Sequence, residues 1–294
     1  MRVPPRVMPA LVTPFRRNGG LDLNAHQHNL ELLWRREVRG FVIGGSNGEG
    51  PYLETGDRAR LLETARSELG GRAFLICGVV AESMRTALAQ ADEAAGAGAD
   101  ALLVLTPTSL IRGRDDAVAG FYLDLADQAP LPILLYSVPM VTGYELAPAA
   151  FERAVAHPNI AGIKDSGGHP VRIAALADLA PPGFALYVGA SPAVALSVAA
   201  GARGAITGSV NYATGLVRET VARAVRSVSR AAATQERLTR LSLTVDRHGI
   251  PGVKVAAAAA GLRPGYPRRP LRLPSGPASR ALRGGLESLA GDLG

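Results

Sequence analysis

Cysteine, aromatic residues and lysine are all scarce in this chain of 294 residues, and each scarcity removes a class of chemistry. The one cysteine, Cys77, leaves no internal disulfide and no cysteine metal cluster. It lies in the apolar run Ala73-Phe-Leu-Ile-Cys-Gly78, where it reads as a small packed hydrophobe. Aromatics make up 5% of the chain, too few for the stacking platforms that accompany basic residues in single-strand nucleic-acid binders. The net charge of +7 therefore does not imply a nucleic-acid partner. Its arginines are scattered, with small clusters only at Arg35, Arg36 and Arg39 and at Arg263, Arg268, Arg269 and Arg272. No run approaches the ~18 apolar residues of a membrane span. The opening Met1-Arg-Val-Pro-Pro5 lacks the apolar stretch of a secretory signal, so a soluble cytoplasmic protein is expected. The five histidines, His26, His28, His157, His169 and His248, show no ligand spacing and read as solvated or hydrogen-bonded. No metal and no organic cofactor is expected.

Lysine is rarer still for a basic chain. Only Lys164 and Lys254 stand against thirty arginines. An amine can lose its proton and attack a carbonyl, which a guanidinium cannot do at any accessible pH. Lys164 closes the apolar run Ile160-Ala-Gly-Ile-Lys164 just before the turn Asp165-Ser-Gly-Gly168. The alternative is a lysine snorkelling at a strand end, but the arginine bias favours chemistry.

The chain repeats a unit of short apolar run, glycine or polar turn, then an Ala/Leu/Arg/Glu-rich helical segment. Eight runs end near Leu11, Gly44, Gly78, Thr106, Ser137, Lys164, Gly189 and Gly208. Their spacing of 19 to 34 residues leaves room for a crossover helix each time. Runs such as Ala101-Leu-Leu-Val-Leu105 and Ile133-Leu-Leu-Tyr136 are apolar throughout, as strands covered on both faces are. The fold class is therefore α/β, a (β/α)8 barrel over residues 1–230. Residues 231–294 read as a C-terminal helical extension, broken by the Pro/Gly-rich stretch from Gly261 to Pro277. Two helices are expected from Asn24, as its N-cap, to Arg36, and from Asp57, as another cap, to Leu69.

In such a barrel the reactive groups gather at the carboxyl ends of the strands. Lys164 closes the sixth strand, Tyr136 the fifth, and the turn Gly44-Gly-Ser-Asn-Gly-Glu49 follows the second. A lysine imine needs donors for the carboxylate of a 2-oxo acid, which Ser46, Asn47 and the backbone around Gly45 supply. It also needs an acid/base for proton shuttling, a task for the Tyr136 phenol. Taken singly, Tyr136 also reads as a barrel tyrosine with a satisfied hydroxyl, and the glycine turn as a plain connection.

Thr13-Pro-Phe15, Gly45-Ser-Asn-Gly-Glu49, Tyr136-Ser-Val-Pro139, Gly162-Ile-Lys-Asp-Ser-Gly-Gly168 and Gly201-Ala-Arg-Gly-Ala-Ile206 come in order at barrel intervals. Together they resemble the dihydrodipicolinate synthase/N-acetylneuraminate lyase superfamily of class I Schiff-base aldolases. The resemblance implies a (β/α)8 barrel, a homotetramer or homodimer, and a lysine imine with pyruvate or another 2-oxo acid. It makes Lys164 the imine lysine, Tyr136 the proton shuttle, and Ser46 and Asn47 the carboxylate site. It sets backbone at Gly189 and Ile206 near the imine. Ser166 is expected against the distal part of the substrate, or else bonded to its own turn.

Within the superfamily, the motifs look most like those of 4-hydroxy-2-oxoglutarate aldolase. The Gly-Ser-Asn-Gly-Glu turn, the Tyr-Ser-Val-Pro run, His157 to Ile160, and Gly249 to Lys254 all match. The synthase branch usually carries an arginine where this chain has Val141, so a second carboxylate has lost its bidentate partner. Asn47 replaces a threonine hydroxyl and can donate to a carboxylate without relaying a proton. Thr108-Ser-Leu-Ile111 stands where many relatives carry two aromatics, the second of which enters a neighbouring subunit's site. Either water or Ser109 takes over that task, or the reaction differs from that of the closest branch. Lys254 is assigned to the appended helices rather than to chemistry. The expected activity is cleavage of 4-hydroxy-2-oxoglutarate-like substrates to pyruvate and an aldehyde. The alternatives are a dihydrodipicolinate synthase-like condensation, a 2-keto-3-deoxy sugar acid aldolase or dehydratase, and a catalytically silent barrel that binds a 2-oxo acid.

Overall fold

The computed structural model describes residues 3–293; Met1 and Arg2 of the opening stretch and Gly294 of the extension lie outside them. Its eight strands are β1 (Val7–Pro9), β2 (Gly40–Ile43), β3 (Phe74–Val79), β4 (Ala101–Leu105), β5 (Ile133–Ser137), β6 (Ile160–Asp165), β7 (Ala185–Val188) and β8 (Gly204–Thr207). All pairings are parallel, and each strand ends within two residues of the position expected from the sequence. β1 pairs with β8, and a parallel bridge between Ala10 and Val42 joins β1 to β2, closing the sheet into a (β/α)8 barrel.

Side-chain alternation splits each strand between two cores. On β5, Leu134 and Tyr136 point into the barrel with Met8, Val42, Ile76, Leu103, Tyr187 and Ile206, whereas Ile133 and Leu135 pack outward under the helices. Both faces are thus buried, which is why the strands read as unbroken apolar runs. Truncating an interior residue such as Leu134 to alanine costs about 2–5 kcal/mol in a core of this kind.

The pairing of β5 with β6 contains one irregularity that sets the site. Ile133 lies opposite Ile160, but Leu134 lies opposite Gly162, so Ala161 is an extra residue on β6. From there the register carries Tyr136 opposite Lys164. Continuing the first register without the extra residue would set Ile163 beside Tyr136 and turn the lysine outward, because a one-residue slip exchanges the two faces of a strand.

Two helix starts differ from expectation. The first helix is Leu23–Arg35, and its cap is Asp22, whose carboxylate accepts from the Ala25 N–H at 3.1 Å; Asn24 falls inside the first turn. The second, Asp57–Leu69, begins on Asp57 with Gly56 at the cap position. The Asp57 carboxylate instead accepts from the N–H of Glu54, three residues earlier, and pairs with the distant Arg268, so other partners have taken it from the helix end. Beyond the barrel come helices Val228–Asp246, Gly249–Ala259 and Gly276–Glu287. Gln235 on the first of these accepts from the Ala195 N–H at 2.7 Å and donates to the Ser191 carbonyl at 3.1 Å, fixing the connection after β7. Among the described residues no helix is long and apolar enough to cross a membrane.

His26, on the first helix, is fully buried, with Nε2 at 3.2 Å from the Leu61 carbonyl and Nδ1 without a partner. Burial lowers its pKa from 6.5 to about 4, against the Leu61 contact, which raises it. The folded state therefore refuses a proton that the unfolded chain accepts, and stability present above pH 6.5 is lost as pH falls toward 4. The expected loss is about 3 kcal/mol. Denaturant unfolding of the wild type and of His26→Gln across this range checks it: the histidine contribution should vanish in the variant, and parallel pH profiles would contradict the assignment.

Candidate active site

The β5–β6 register has a direct chemical consequence. Lys164 and Tyr136 are neighbours inside the barrel near its carboxyl end, each 3% exposed, and Lys164 Nζ donates to Tyr136 Oη at 3.1 Å. The Ser46 hydroxyl reaches the same phenol oxygen from the turn after β2, at 3.2 Å. Three residues distant in sequence thus meet at one oxygen. Burial pushes the Tyr136 phenol up, but the Lys164 charge and the hydrogen bonds from Ser46 and Lys164 outweigh it, with the Ser166 hydroxyl acting in the same sense. The net shift is downward. Burial dominates at Tyr122, Tyr187 and Tyr212, and all three are raised. A phenol made more acidic beside an amine is a group that can trade a proton with it.

The residue after the lysine keeps it aimed inward. Asp165 is buried, its Oδ2 accepts from Arg172 Nε at 2.8 Å and its Oδ1 from the Gly167 N–H at 3.1 Å. Arg172 also donates to the Leu146 carbonyl at 2.7 Å, so the turn after β6 is tied to the segment after β5. Ser166 Oγ is buried without a well-formed hydrogen bond and does not bond its own turn. It lies against Gly189, where an added Cβ would stand 1.8 Å from that oxygen and 2.9 Å from Lys164 Cε. Only glycine admits the lysine chain and the serine hydroxyl together.

The turn that presents Ser46 and Asn47 is held from several sides. The Glu49 N–H donates to the Ser46 carbonyl and the Gly50 N–H to the Gly45 carbonyl, each at 3.0 Å. The Thr13 hydroxyl donates to the Gly48 carbonyl at 2.7 Å. Asn47 packs beside Gly208, at the end of β8. Glu49 adopts left-handed backbone, φ 57°, a conformation that costs a non-glycine residue ~1–2 kcal/mol. Its side chain is buried and ion-pairs with Lys254 at 2.7 Å.

The structure therefore brings Lys164, Tyr136 and Ser46 into contact, sets Ser166 and Gly189 against the lysine stem, and puts Asn47 and Gly45 in the adjoining turn. Ile206 lies in the barrel interior with Tyr136. Ser109 is exposed on the connection after β4, its N–H held by Glu82 at 2.9 Å, and among the described residues no hydrogen bond links it to this cluster. Val141 is 58% exposed on the short helix Pro139–Thr142 and offers no donor. Lys254 lies on the appended helix Gly249–Ala259 but reaches back to the turn after β2, a contact with no local signal in the sequence. Among the described residues no cluster of three or more His, Cys, Asp or Glu could hold a metal ion.

A closed parallel barrel with a buried amine–phenol pair at its mouth is the frame of enzymes that make and break carbon–carbon bonds through a lysine imine, and this chain is a carbon–carbon lyase of that class. Comparison with known proteins narrows the class. A family model described as the dihydrodipicolinate synthetase family matches residues 4–289, and the chain belongs to that family. It is 33% identical over 289 residues to 4-hydroxy-tetrahydrodipicolinate synthase 1 of Streptomyces coelicolor, covering 98% of this chain and 93% of the relative. With 4-hydroxy-tetrahydrodipicolinate synthase of Xanthomonas axonopodis pv. citri it shares 34% identity over 290 residues, covering 97% and 93%. A solved structure of chloride-inhibited dihydrodipicolinate synthase from Acinetobacter baumannii, complexed with pyruvate, superposes with a TM-score of 0.91. That pair is 27% identical, with 97% of this chain and 98% of the other covered.

The phenol's shift is open to measurement. Spectroscopic titration of tyrosine ionisation should contain one component below the ordinary phenol range, and Tyr136→Phe should remove it. A titration curve unchanged by that substitution would contradict the electrostatic assignment.

Proposed function

We propose that Lys164 forms an imine with pyruvate-type 2-oxo acids and that the chain cleaves 4-hydroxy-2-oxoglutarate-like substrates to pyruvate and an aldehyde. The observation that carries this reading is the 3.1 Å contact between Lys164 Nζ and Tyr136 Oη in a buried site that Ser46 also reaches. The pyruvate complex of the Acinetobacter baumannii relative supports the choice of ligand.

In this reading Ser46, Asn47 and the backbone at Gly45 hold the substrate carboxylate and set its C2 carbonyl against Nζ. The Tyr136 oxygen, as its phenolate, accepts a proton from the lysine ammonium, and the free amine adds to C2. The same phenol returns the proton to the carbinolamine oxygen, water leaves and the imine forms. The 4-hydroxyl then gives its proton to the Tyr136 phenolate, the C3–C4 bond breaks, and its electron pair moves into the imine to give an enamine as the aldehyde departs. The Tyr136 phenol returns that proton to C3, and addition of water at C2 releases pyruvate and restores the amine. Ser166, its hydroxyl buried beside Gly189 and the lysine, is positioned for the 4-hydroxyl or the distal part of the substrate. Gly189 and Ile206 border the imine through their backbone.

A second reading is the condensation that the Streptomyces coelicolor and Xanthomonas axonopodis relatives are named for. Against it stands the exposed Val141, where the family resemblance calls for an arginine to hold the aldehyde's carboxylate.

Borohydride reduction in the presence of pyruvate, followed by mass measurement, should add one pyruvate-derived group at Lys164. Lys164→Arg should fold and add none. Tyr136→Phe should bind pyruvate but turn over about 10²–10⁴-fold more slowly. An adduct in Lys164→Arg, or full turnover in Tyr136→Phe, would overturn the assigned roles. Pyruvate release from a panel of 4-hydroxy-2-oxo acids then separates cleavage from condensation: none released from any of them would favour the synthase reading.

A further inference from the structure

The second lysine of the chain has an equally specific setting. Lys254 Nζ is buried; it donates to the Thr13 carbonyl at 2.8 Å and the Tyr266 carbonyl at 2.7 Å, and it ion-pairs with Glu49 at 2.7 Å. Thr13 in turn donates through its hydroxyl to Gly48, the neighbour of Glu49. The other Glu49 oxygen accepts from the Arg268 N–H at 2.7 Å. Arg268 is itself pinned by the Gly19 carbonyl and by Asp57. A compact ammonium with three donors in different directions can meet a carboxylate and two carbonyls that do not share a plane, which a flat guanidinium fork cannot match. That is a physical reason for an amine here in a chain that otherwise uses arginine.

All these contacts converge on the back of the turn whose front carries Ser46 and Asn47. Glu49 sits at the turn's end in left-handed backbone, and its N–H closes the turn on the Ser46 carbonyl. Its side chain is held by Lys254 and the Arg268 N–H, so the direction of Glu49 and the presentation of Ser46 are set together.

We infer that the buried Glu49–Lys254 pair holds the Ser46–Asn47 turn in the shape that receives the carboxylate of a 2-oxo acid, making both of them positioning residues and the helix Gly249–Ala259 part of the active-site frame. This rests on the imine reading given above. Neither residue touches substrate in it. Loss of the pair loosens the carboxylate site and leaves Lys164 and Tyr136 in place, so the effect falls on substrate affinity rather than on the bond-making step.

The experiment is borohydride trapping over a range of pyruvate concentrations, with turnover measured in parallel, on wild type, Glu49→Gln, Lys254→Met and the double variant Glu49→Gln/Lys254→Met. The double variant leaves no unpaired buried charge and serves where a single one does not fold. Because Lys254→Met leaves Lys164 as the only lysine, its adduct is assigned by mass and peptide mapping. The expected result is a half-saturating pyruvate concentration raised tenfold or more, with turnover at saturation within about threefold of wild type. Lys254→Arg should not restore affinity. Folded variants, checked by circular dichroism and thermal melting, whose half-saturation stays at the wild-type value would overturn the inference alone. Absence of any adduct in the wild type would overturn the imine reading and this inference with it.

Discussion

One extra residue in one strand decides what this barrel can do. Ala161 shifts β6 by a position against β5, and from that point Lys164 stands beside Tyr136 inside the barrel. Strand registers in a closed barrel are not independent, since each strand is bonded on both sides and the interior is filled by side chains of fixed parity. The shift is therefore held by the whole sheet. Lys164 is also locked from its flank, because Asp165 faces the other way into the Arg172 pair. Backbone pairing and one buried ion pair together aim the amine before any substrate arrives, as preorganised chemistry requires.

Electrostatics then follow from geometry. Among the described residues five phenols are shifted by their surroundings, and four of them move upward. Tyr136 moves downward because the amine is 3.1 Å from its oxygen and Ser46 reaches it too. In the proposed mechanism the same contact serves both partners, since a phenol that ionises more readily is more often the phenolate that can take a proton from the amine and later return it to a leaving oxygen.

Much of this was legible in the sequence, and the reason is locality. Strand ends, the lysine at the close of the sixth strand, the tyrosine at the close of the fifth and the glycine turn after the second are each marked by residues within a few positions of one another. The family resemblance added the roles. What stayed hidden depends on partners far along the chain. Asp57 reads as a helix cap but pairs with Arg268, and Lys254 reads as a support for the appended helices but reaches Glu49, 205 residues away. The extra residue Ala161 carries no signal of its own, because an alanine in a strand looks the same bulged or paired. Glu49 stood inside a recognised motif without a task. Its left-handed backbone and buried carboxylate supply one, and neither is visible in residue type.

A crystal of the chain soaked with pyruvate would show whether the amine reacts. Unbroken density is expected from Lys164 Nζ to C2 of the ligand, with the Tyr136 hydroxyl within hydrogen-bond distance of the new bond and the carboxylate on the turn of Ser46 and Asn47. A ligand bound without a covalent link, or with its carboxylate lodged elsewhere while the amine stays free, would contradict that expectation.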